Sequence, residues 1–558
     1  MRMQFLLPCL VAILALAPAG AAIQPAGQSD PAAPAPAPAE PAPAPAPPSA
    51  PAEAEPADPV ATQPEVDPVE QQDLADQPES VRAITSLDLR RLETDRAYAE
   101  SIVRHLDALP ALAENAENAG RGRYWLDNLR MYALITAGRP REARPLLDRS
   151  LALQPIEAGD YALLWFGALR LNDPERAVAV VEQASRNVRS REWPQLREML
   201  EQQHVWTLMR EFPGEAGRPR RARLAEALFR IGWPGHDDPE ASDGLRMMML
   251  DEQLARSDLS DATDLAAGIT TTGETLSLIT LKRYDPIVGA RDRLAMLARA
   301  VGEQDRATAA AVEAAPENLR KLLDRAQFLR GQGRERDALA LLEPLTRDVP
   351  ATVARADEGM WVVNEAAYAL LSLGRNDEAV ALTAALAALP IAERPDLIGP
   401  SINHSVVLLR AGRNDEALAH ATRLDRDFAQ HANEFGRMWM AASAVCALER
   451  LGRRSETAPW LRRLRDGREA NGAALTRAYL CLNDLDAAEA LVLRRLRGSD
   501  SEALVRAFQD FQLASAVPED PVATRFAALR ERPAVRAAIE RIGRILPLPM
   551  ARAYWGAT

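Results

Sequence analysis

From about residue 86 to the end of the chain, apolar residues recur at helical spacing, and no stretch keeps the apolar–polar alternation of a strand. Small corner residues punctuate this pattern: Gly138, Asn172, Gly217, Ser257, Gly302, Gly333, Gly374, Gly412, Gly452 and Asn483. Five positions after each comes Ala143, Ala177, Ala222, Ala262, Ala307, Ala338, Ala379, Ala417, Thr457 or Ala488. Two instances read identically, Gly-Arg-Asn-Asp-Glu-Ala, beginning at Gly374 and at Gly412. The period is loose, about 38 residues, which is the length of one helical hairpin. The pattern therefore predicts an all-α chain built as an α-solenoid of about ten helix-turn-helix units.

The physics of one unit is readable. A helix ends at Gly374, which takes the left-handed conformation without a Cβ clash. Asn376 or Asp377 is expected to cap the next helix, and Asp377 and Glu378 place negative charge at its positive end. Ala379 is expected to be small because the two helices cross closely there. Leu147 follows Ala143 at helical spacing, as Leu342 and Leu345 follow Ala338. Pro155 and Pro350 are expected to stop second helices. Residues 520–547 predict one or two amphipathic helices with Phe526, Leu529, Val535, Ile539, Ile542 and Ile545 on one face, a terminal element that hides the last open hairpin.

This arrangement resembles the tetratricopeptide repeat (TPR) family: a small residue at the corner, alanine at the close crossing, proline ending the second helix. The resemblance is good over residues 125–155 and 322–350, holds at the corners of 361–390 and 399–424, and is weak in 200–320, where Pro213, Pro219, Pro234 and Pro239 imply longer loops.

The N-terminal region changes the picture. Arg2, the apolar stretch from Phe5 to Leu16 and the small residues Ala19-Gly20-Ala21 read as a signal peptide over residues 1–22. Residues 23–80 hold 16 of the 41 prolines, 11 acidic groups and no basic ones. They predict an extended disordered spacer reaching at most about 180 Å at about 3.1 Å per residue. The domain plan is thus signal peptide 1–22, spacer 23–80, solenoid 81–519 and capping helices with a tail 520–558. With the spacer and Arg2 set aside, 66 basic groups face 68 acidic ones, so the net charge of −12 belongs almost wholly to the spacer. A nearly neutral body gives no footprint for nucleic acid. Beyond the signal no stretch approaches the ~18 apolar residues of a membrane span. Cys446 and Cys481 lie on first helices of neighbouring hairpins. An exported compartment permits a disulfide between them, and two buried free thiols are the commoner outcome.

Signatures of chemistry are largely missing: no zinc His-Glu-x-x-His, nucleophile elbow, phosphate-binding loop or Cys-x-x-Cys. The six histidines are scattered singly, and His236-Asp237-Asp238 reads as a solvated loop. The run Met247–Met249 reads as core. No catalytic residue, cofactor or metal is expected. One constellation points to binding. Trp125, Asn128 and Tyr132 precede Gly138 at the spacing with which Trp361, Asn364 and Tyr368 precede Gly374, each trio on one helix face. Equivalent positions elsewhere carry Phe166 and Arg170, Arg320, Gln327 and Arg330, Trp439 and Arg450, and Arg477. The family resemblance implies that this face lines a concave groove for extended peptides or helices. Rings supply contact area there, and Asn and Arg pair backbone or carboxylates. Against this, the tryptophans can pack between units, and Asn128 and Asn364 are expected to hydrogen-bond between repeats.

The expectation is an exported, periplasmic scaffold that holds a protein or peptide partner in the cell envelope and carries out no chemistry. Two rivals stand beside it. One is a glycan-binding or assembly module of polysaccharide-export machinery. The other is a peptidoglycan-active enzyme with a superhelical scaffold, for which no separate catalytic domain is visible.

Overall fold

A computed structural model describes residues 87–108, 119–155, 157–234, 238–498, 501–513 and 520–551. The signal peptide and the spacer lie outside the described residues, as do His236 and Asp237. The chain divides into two compact units, Met1–Glu201 and Gln202–Thr558. Over the described residues both are α-solenoids of TPR-like helical pairs.

In the first unit, helices α1 (Leu89–Thr94), α2 (Arg96–Asp107), α3 (Ala119–Thr136), α4 (Pro140–Ala152), α5 (Ala158–Arg170), α6 (Pro174–Asn187) and α7 (Trp193–Met199) follow one another. The second opens with α8 (Gln202–Arg210), α9 (Gly214–Arg230), α10 (Pro239–Ala255), α11 (Leu259–Ala267), α12 (Thr272–Thr280), α13 (Asp285–Val288) and α14 (Arg293–Ala314). It continues with the hairpins α15 (Leu319–Gly331) and α16 (Glu335–Thr346), α18 (Gly359–Ser372) and α19 (Asn376–Ala387), α20 (Ile398–Arg410) and α21 (Asn414–Asp427), with α17 (Val349–Arg355) inserted after α16. Two further hairpins pair α22 (Glu434–Arg450) with α23 (Ala458–Asp466) and α24 (Gly472–Cys481) with α25 (Leu485–Arg495). The chain then forms α26 (Ser501–Ala507), strand β1 (Asp510–Leu513), α27 (Pro521–Glu531), α28 (Pro533–Ile542) and strand β2 (Pro547–Ala551).

Eight of the ten expected corners are turns with positive φ, including the non-glycines Asn172, Ser257 and Asn483. The alanines at the crossings of these corners, from Ala143 to Ala488, have no exposed surface, and Thr457 is buried. The caps differ from expectation. Neither Asn376 nor Asp377 caps α19; its N-cap is Arg375, which makes no side-chain cap bond. Arg375 instead holds Glu378 through two bonds of 2.7 and 2.6 Å. The same arginine-to-acid brace recurs as Arg139–Glu142, Arg413–Glu416, Arg453–Glu456 and Arg334–Asp337. At the non-glycine corners an aspartate does cap: Asp173, Asp258 and Asp484 accept from the N–H three residues on. The corners thus come in two kinds, and the helix N-terminus receives an acid side chain in both.

Residues 200–320 depart most. Gly217 lies inside α9, where an added Cβ would sit 2.2 Å from the Phe212 carbonyl oxygen; the glycine serves a close approach and is not a corner. Gly302 lies inside α14 and Ala307 is exposed. The left-handed turns in this stretch fall at Gly214, Gly232, Ser257 and Gly289. Pro350 stops nothing: α16 has already ended at Thr346, and Pro350 stands in the first turn of α17, where its missing N–H costs nothing. Pro155 does follow the end of α4.

The cysteines also differ from the expected free thiols. Cys446 and Cys481 form a disulfide with Cα atoms 5.1 Å apart, because α22 and α24 pack side by side and bring the two positions face to face. It ties the last two hairpins together.

One core runs through the second unit from Met247 to Ile539. Its end is more than a cap. Helices α27 and α28 pack on α24 and α25, and Phe508 stacks on Phe526 with ring centroids 4.4 Å apart. The same segment reaches back to α12, α13 and α14. Helix α26 packs on α12, and Leu548 and Met550 join Ile279 and Leu297. Arg544 holds Asp285 at 2.8 and 2.6 Å and donates to the carbonyls of Ile279 and Thr280. Strands β1 and β2 pair in parallel, bridged by the buried Gln509 side chain, which donates to the Arg544 carbonyl and accepts from the Leu546 N–H. The C-terminal segment therefore joins the last hairpins of the unit to α12, α13 and α14.

Candidate functional site

The expected groove face divides once side chains are placed. In the first unit Trp125, Asn128 and Tyr132 are all buried on α3. The Tyr132 hydroxyl donates to the Leu163 carbonyl at 2.7 Å, tying α3 to α5, as Tyr124 does through Asp160. Asn128 does not bond between repeats; its amide donates to the Tyr124 carbonyl one turn back in its own helix. Phe166 is half-buried, and the exposed Arg170 donates to Thr136.

In the second unit Arg330 is buried and forms a two-bond pair with the buried Glu365, at 2.5 and 3.3 Å. Its guanidinium lies 5.7 Å from the ring centre of the buried Tyr368. Asn364 meets the expectation of a bond between repeats: its Oδ1 accepts from Asn403 at 3.2 Å. Arg320 is exposed and pairs with Asp324, and Gln327 is exposed. Arg450 and Arg477, read as donors for a partner, meet the chain's own Asp520, at 2.8 and 3.7 Å. Besides Gln327 and Arg320, what remains open to a partner is aromatic. Trp361 is 39 % exposed on α18, and Phe435, which the sequence reading passed over, is 53 % exposed near the start of α22. Trp439, one turn further on, is half-buried. The Trp361 ring lies over Gly399 of the intervening α20, where an added Cβ would sit 3.3 Å away.

A second assembly has no counterpart in the sequence pattern. A cavity of about 450 Å³ is lined from α8 by Gln202 and Trp206, from the start and length of α10 by residues including Asp238, Glu240, Met248 and Asp251, and from α12 by Glu274 and Ser277. Arg283 and Tyr284, Arg320 of α15, and Glu502 and Arg506 of α26 complete it. Most of these charges are spoken for. Asp238 caps α10 and accepts from Gln202. Asp251 accepts from the Tyr284 hydroxyl at 2.8 Å and pairs with Arg283, which also pairs with Glu502. Burial pushes the carboxyl groups of Asp251 and Glu274 above their ordinary range, opposed at Asp251 by Arg283 and at Glu274 by Arg506. Glu240 moves the same way through burial and the neighbouring Asp324 and Asp238, although more than a third of its surface is open to solvent. Carboxyl groups held this way in one cavity mark a candidate ligand site.

Two of the scattered histidines also meet. His404 and His420 stack edge-to-face at 4.9 Å, with His404 Nδ1 bonded to Thr383 at 2.7 Å and His420 Nε2 to the Ser401 carbonyl at 3.0 Å. Burial lowers them to about 3 and about 4, so both are neutral parts of the core. Met247 and Met249 are buried, as expected of core residues. Among the described residues no group of His, Cys, Asp and Glu is arranged to hold a metal, and no helix is long and apolar enough to cross a membrane.

No family model matches the chain, and no curated protein matches it. Similar solved structures include Naa15/Naa10 bound to HypK-THB, at 15 % identity over 85 % of this chain and 75 % of that one, with a TM-score of 0.30. The APC/C hetero-tetramer Cut9-Hcn1 is similar at 13 % identity over 85 % and 94 %, with a TM-score of 0.25. A human IFIT1 dimer with m7Gppp-AAAA is similar at 13 % identity over 81 % and 96 %, with a TM-score of 0.26. Likenesses this distant carry no functional inference.

Proposed function

We propose that the protein is an exported interaction scaffold that holds a polypeptide partner in the cell envelope and catalyses no reaction itself. The observation that carries this reading is the pair of exposed rings, Trp361 on α18 and Phe435 on α22, set on first helices of the repeat on either side of α20, whose Gly399 lies against the Trp361 ring. Large rings on rigid helices supply contact area at little entropic cost, and such residues dominate the energetics of protein interfaces. Chemistry-bearing motifs are absent from the sequence, and the arginines first read as partner donors are engaged within the chain. The docking edge of this proposal is therefore apolar, with the partner contributing apolar side chains. The export part of the reading rests on the N-terminal sequence alone.

Photo-crosslinking in intact cells tests it. A photoreactive residue at position 361 or 435 should capture a discrete protein that one at Ala340, exposed on α16, does not. Equal labelling from all three positions, or none from 361 and 435, would reject the docking edge.

A further inference from the structure

Three charges of the α8–α12 cavity, Glu240, Glu274 and Arg506, make no direct ion pair. Of its carboxylates, Asp251 and Glu502 are paired with Arg283 and Asp238 is used as a helix cap, whereas Glu240 and Glu274 lie within ion-pair distance of no cation among the described residues. Glu240 receives only a 3.4 Å bond from Gln304, and Glu274 has only the Ser277 hydroxyl. Of its cations, Arg283 and Arg320 are paired, and Arg506 donates only to the Ser277 Oγ, at 2.8 Å. Opposite charges thus face one cavity without direct contact: Arg506 acts on Glu274 only through space and through the Ser277 hydroxyl they share. A partly desolvated charge that finds no partner in the fold costs stability, and a ligand carrying the complementary charges would recover that cost. The remaining wall is apolar: the Trp206 ring, which packs edge-on against Trp233 at 5.9 Å, and the methionines Met247 and Met248. A volume of about 450 Å³ suits a small molecule.

We propose that this cavity binds a free α-amino acid with an apolar side chain. Its ammonium group sits between Glu274 and Glu240, its carboxylate meets Arg506, and its side chain lies against Trp206 and Met248. A zwitterion is the class of ligand that matches one unpaired cation and unpaired anions in the same space; a simple cation would leave Arg506 unmatched, and a simple anion would meet Glu274. The inference does not depend on the docking edge at Trp361 and Phe435, so either can fail alone.

Isothermal titration of the full chain with L-leucine, L-methionine and L-phenylalanine tests it. At least one should bind saturably, with a Kd in the range of about 1 mM or tighter. 4-Methylpentanoate, which lacks the ammonium, and 3-methylbutylamine, which lacks the carboxylate, should bind at least about tenfold more weakly, because each forfeits a charge-assisted bond. Glu274→Gln and Arg506→Lys should weaken binding by a similar factor while circular dichroism stays unchanged. Arg506 also joins α26 to α12, so Glu240→Gln, on the open rim, supplies a variant that leaves the packing untouched; it should weaken binding severalfold. The proposal is overturned if none of the three amino acids binds with a Kd of about 1 mM or tighter, if either half-molecule binds as well as the amino acid, or if the Glu274 and Glu240 variants bind like the wild type.

Discussion

Arg330 separates the structural reading of the groove face from the binding one. Its guanidinium and the Glu365 carboxylate are 6 % and 1 % exposed, joined by two hydrogen bonds, with the Tyr368 ring beside them. Were Arg330 a partner-binding residue, Arg330→Met would cost affinity and leave stability intact. The geometry argues otherwise. Deleting the arginine strands a carboxylate with 1 % of its surface in water, and breaking one side of a buried pair costs about 3–5 kcal/mol. Removing both charges with apolar residues of similar volume removes the stranded charge as well, and is expected to be neutral within about 1–2 kcal/mol or stabilising. Arg330→Met, Glu365→Leu and the double variant therefore form a cycle whose coupling energy should exceed about 2 kcal/mol. Urea unfolding followed by circular dichroism measures it. A single-variant cost below about 1 kcal/mol, or costs that simply add, would refute the claim that this pair is a desolvated internal tie.

Further expectations follow from the same packing. Ala417→Arg, at a crossing with no exposed surface, should cost at least about 3 kcal/mol, while Ala307→Arg, at an exposed alanine in α14, should stay within about 0.5 kcal/mol; equal melting temperatures for the two would contradict the assignment of crossings. Replacing Cys446 and Cys481 by alanine releases a link across 35 residues of chain, which the loop-closure relation sets at about 4 kcal/mol, and superposable unfolding curves with and without the link would rule that out. His404 and His420 are held at about 3 and about 4 against about 6.5 unfolded, so the unfolded chain binds more protons in that interval. Their contribution is complete above pH about 6.5 and is lost as pH falls toward their folded values; a double His→Asn variant should lose less stability than the wild type between pH 7 and pH 5, and parallel profiles would show that the pair does not titrate as described.

What the sequence disclosed was local. A residue with positive φ followed at a fixed interval by a buried alanine is a signal carried within a few positions, and it located Asn172, Ser257 and Asn483 as readily as the glycines. It failed where a glycine serves another purpose: Gly217 gives way to a neighbouring carbonyl, and Gly302 merely interrupts a long helix. The cap at Gly374 was misjudged because Asn-Asp-Glu looks like a supply of capping oxygens, whereas the arginine just before it fixes the glutamate. Contacts between distant positions left no periodic trace. Arg544 meets Asp285 across 259 residues, Asp520 takes up the two arginines assigned to a partner, and the cavity draws on helices from α8 to α26. Phe435 was overlooked because it falls outside the spacing shared by the two aromatic trios.

The second unit is a stack of helical pairs in which α12, α13 and α14 are held by the unit's own last segment. A chain ending at Arg497 lacks α26, both strands, α27 and α28, and with them Phe508, Phe526, Ile539 and Leu548, each at most 1 % exposed. Thermal unfolding monitored by far-ultraviolet circular dichroism should show the second unit melting far below its full-length midpoint and without a single sharp transition. An unchanged midpoint and an equally cooperative melt would show that the last segment does not hold α12 to α14.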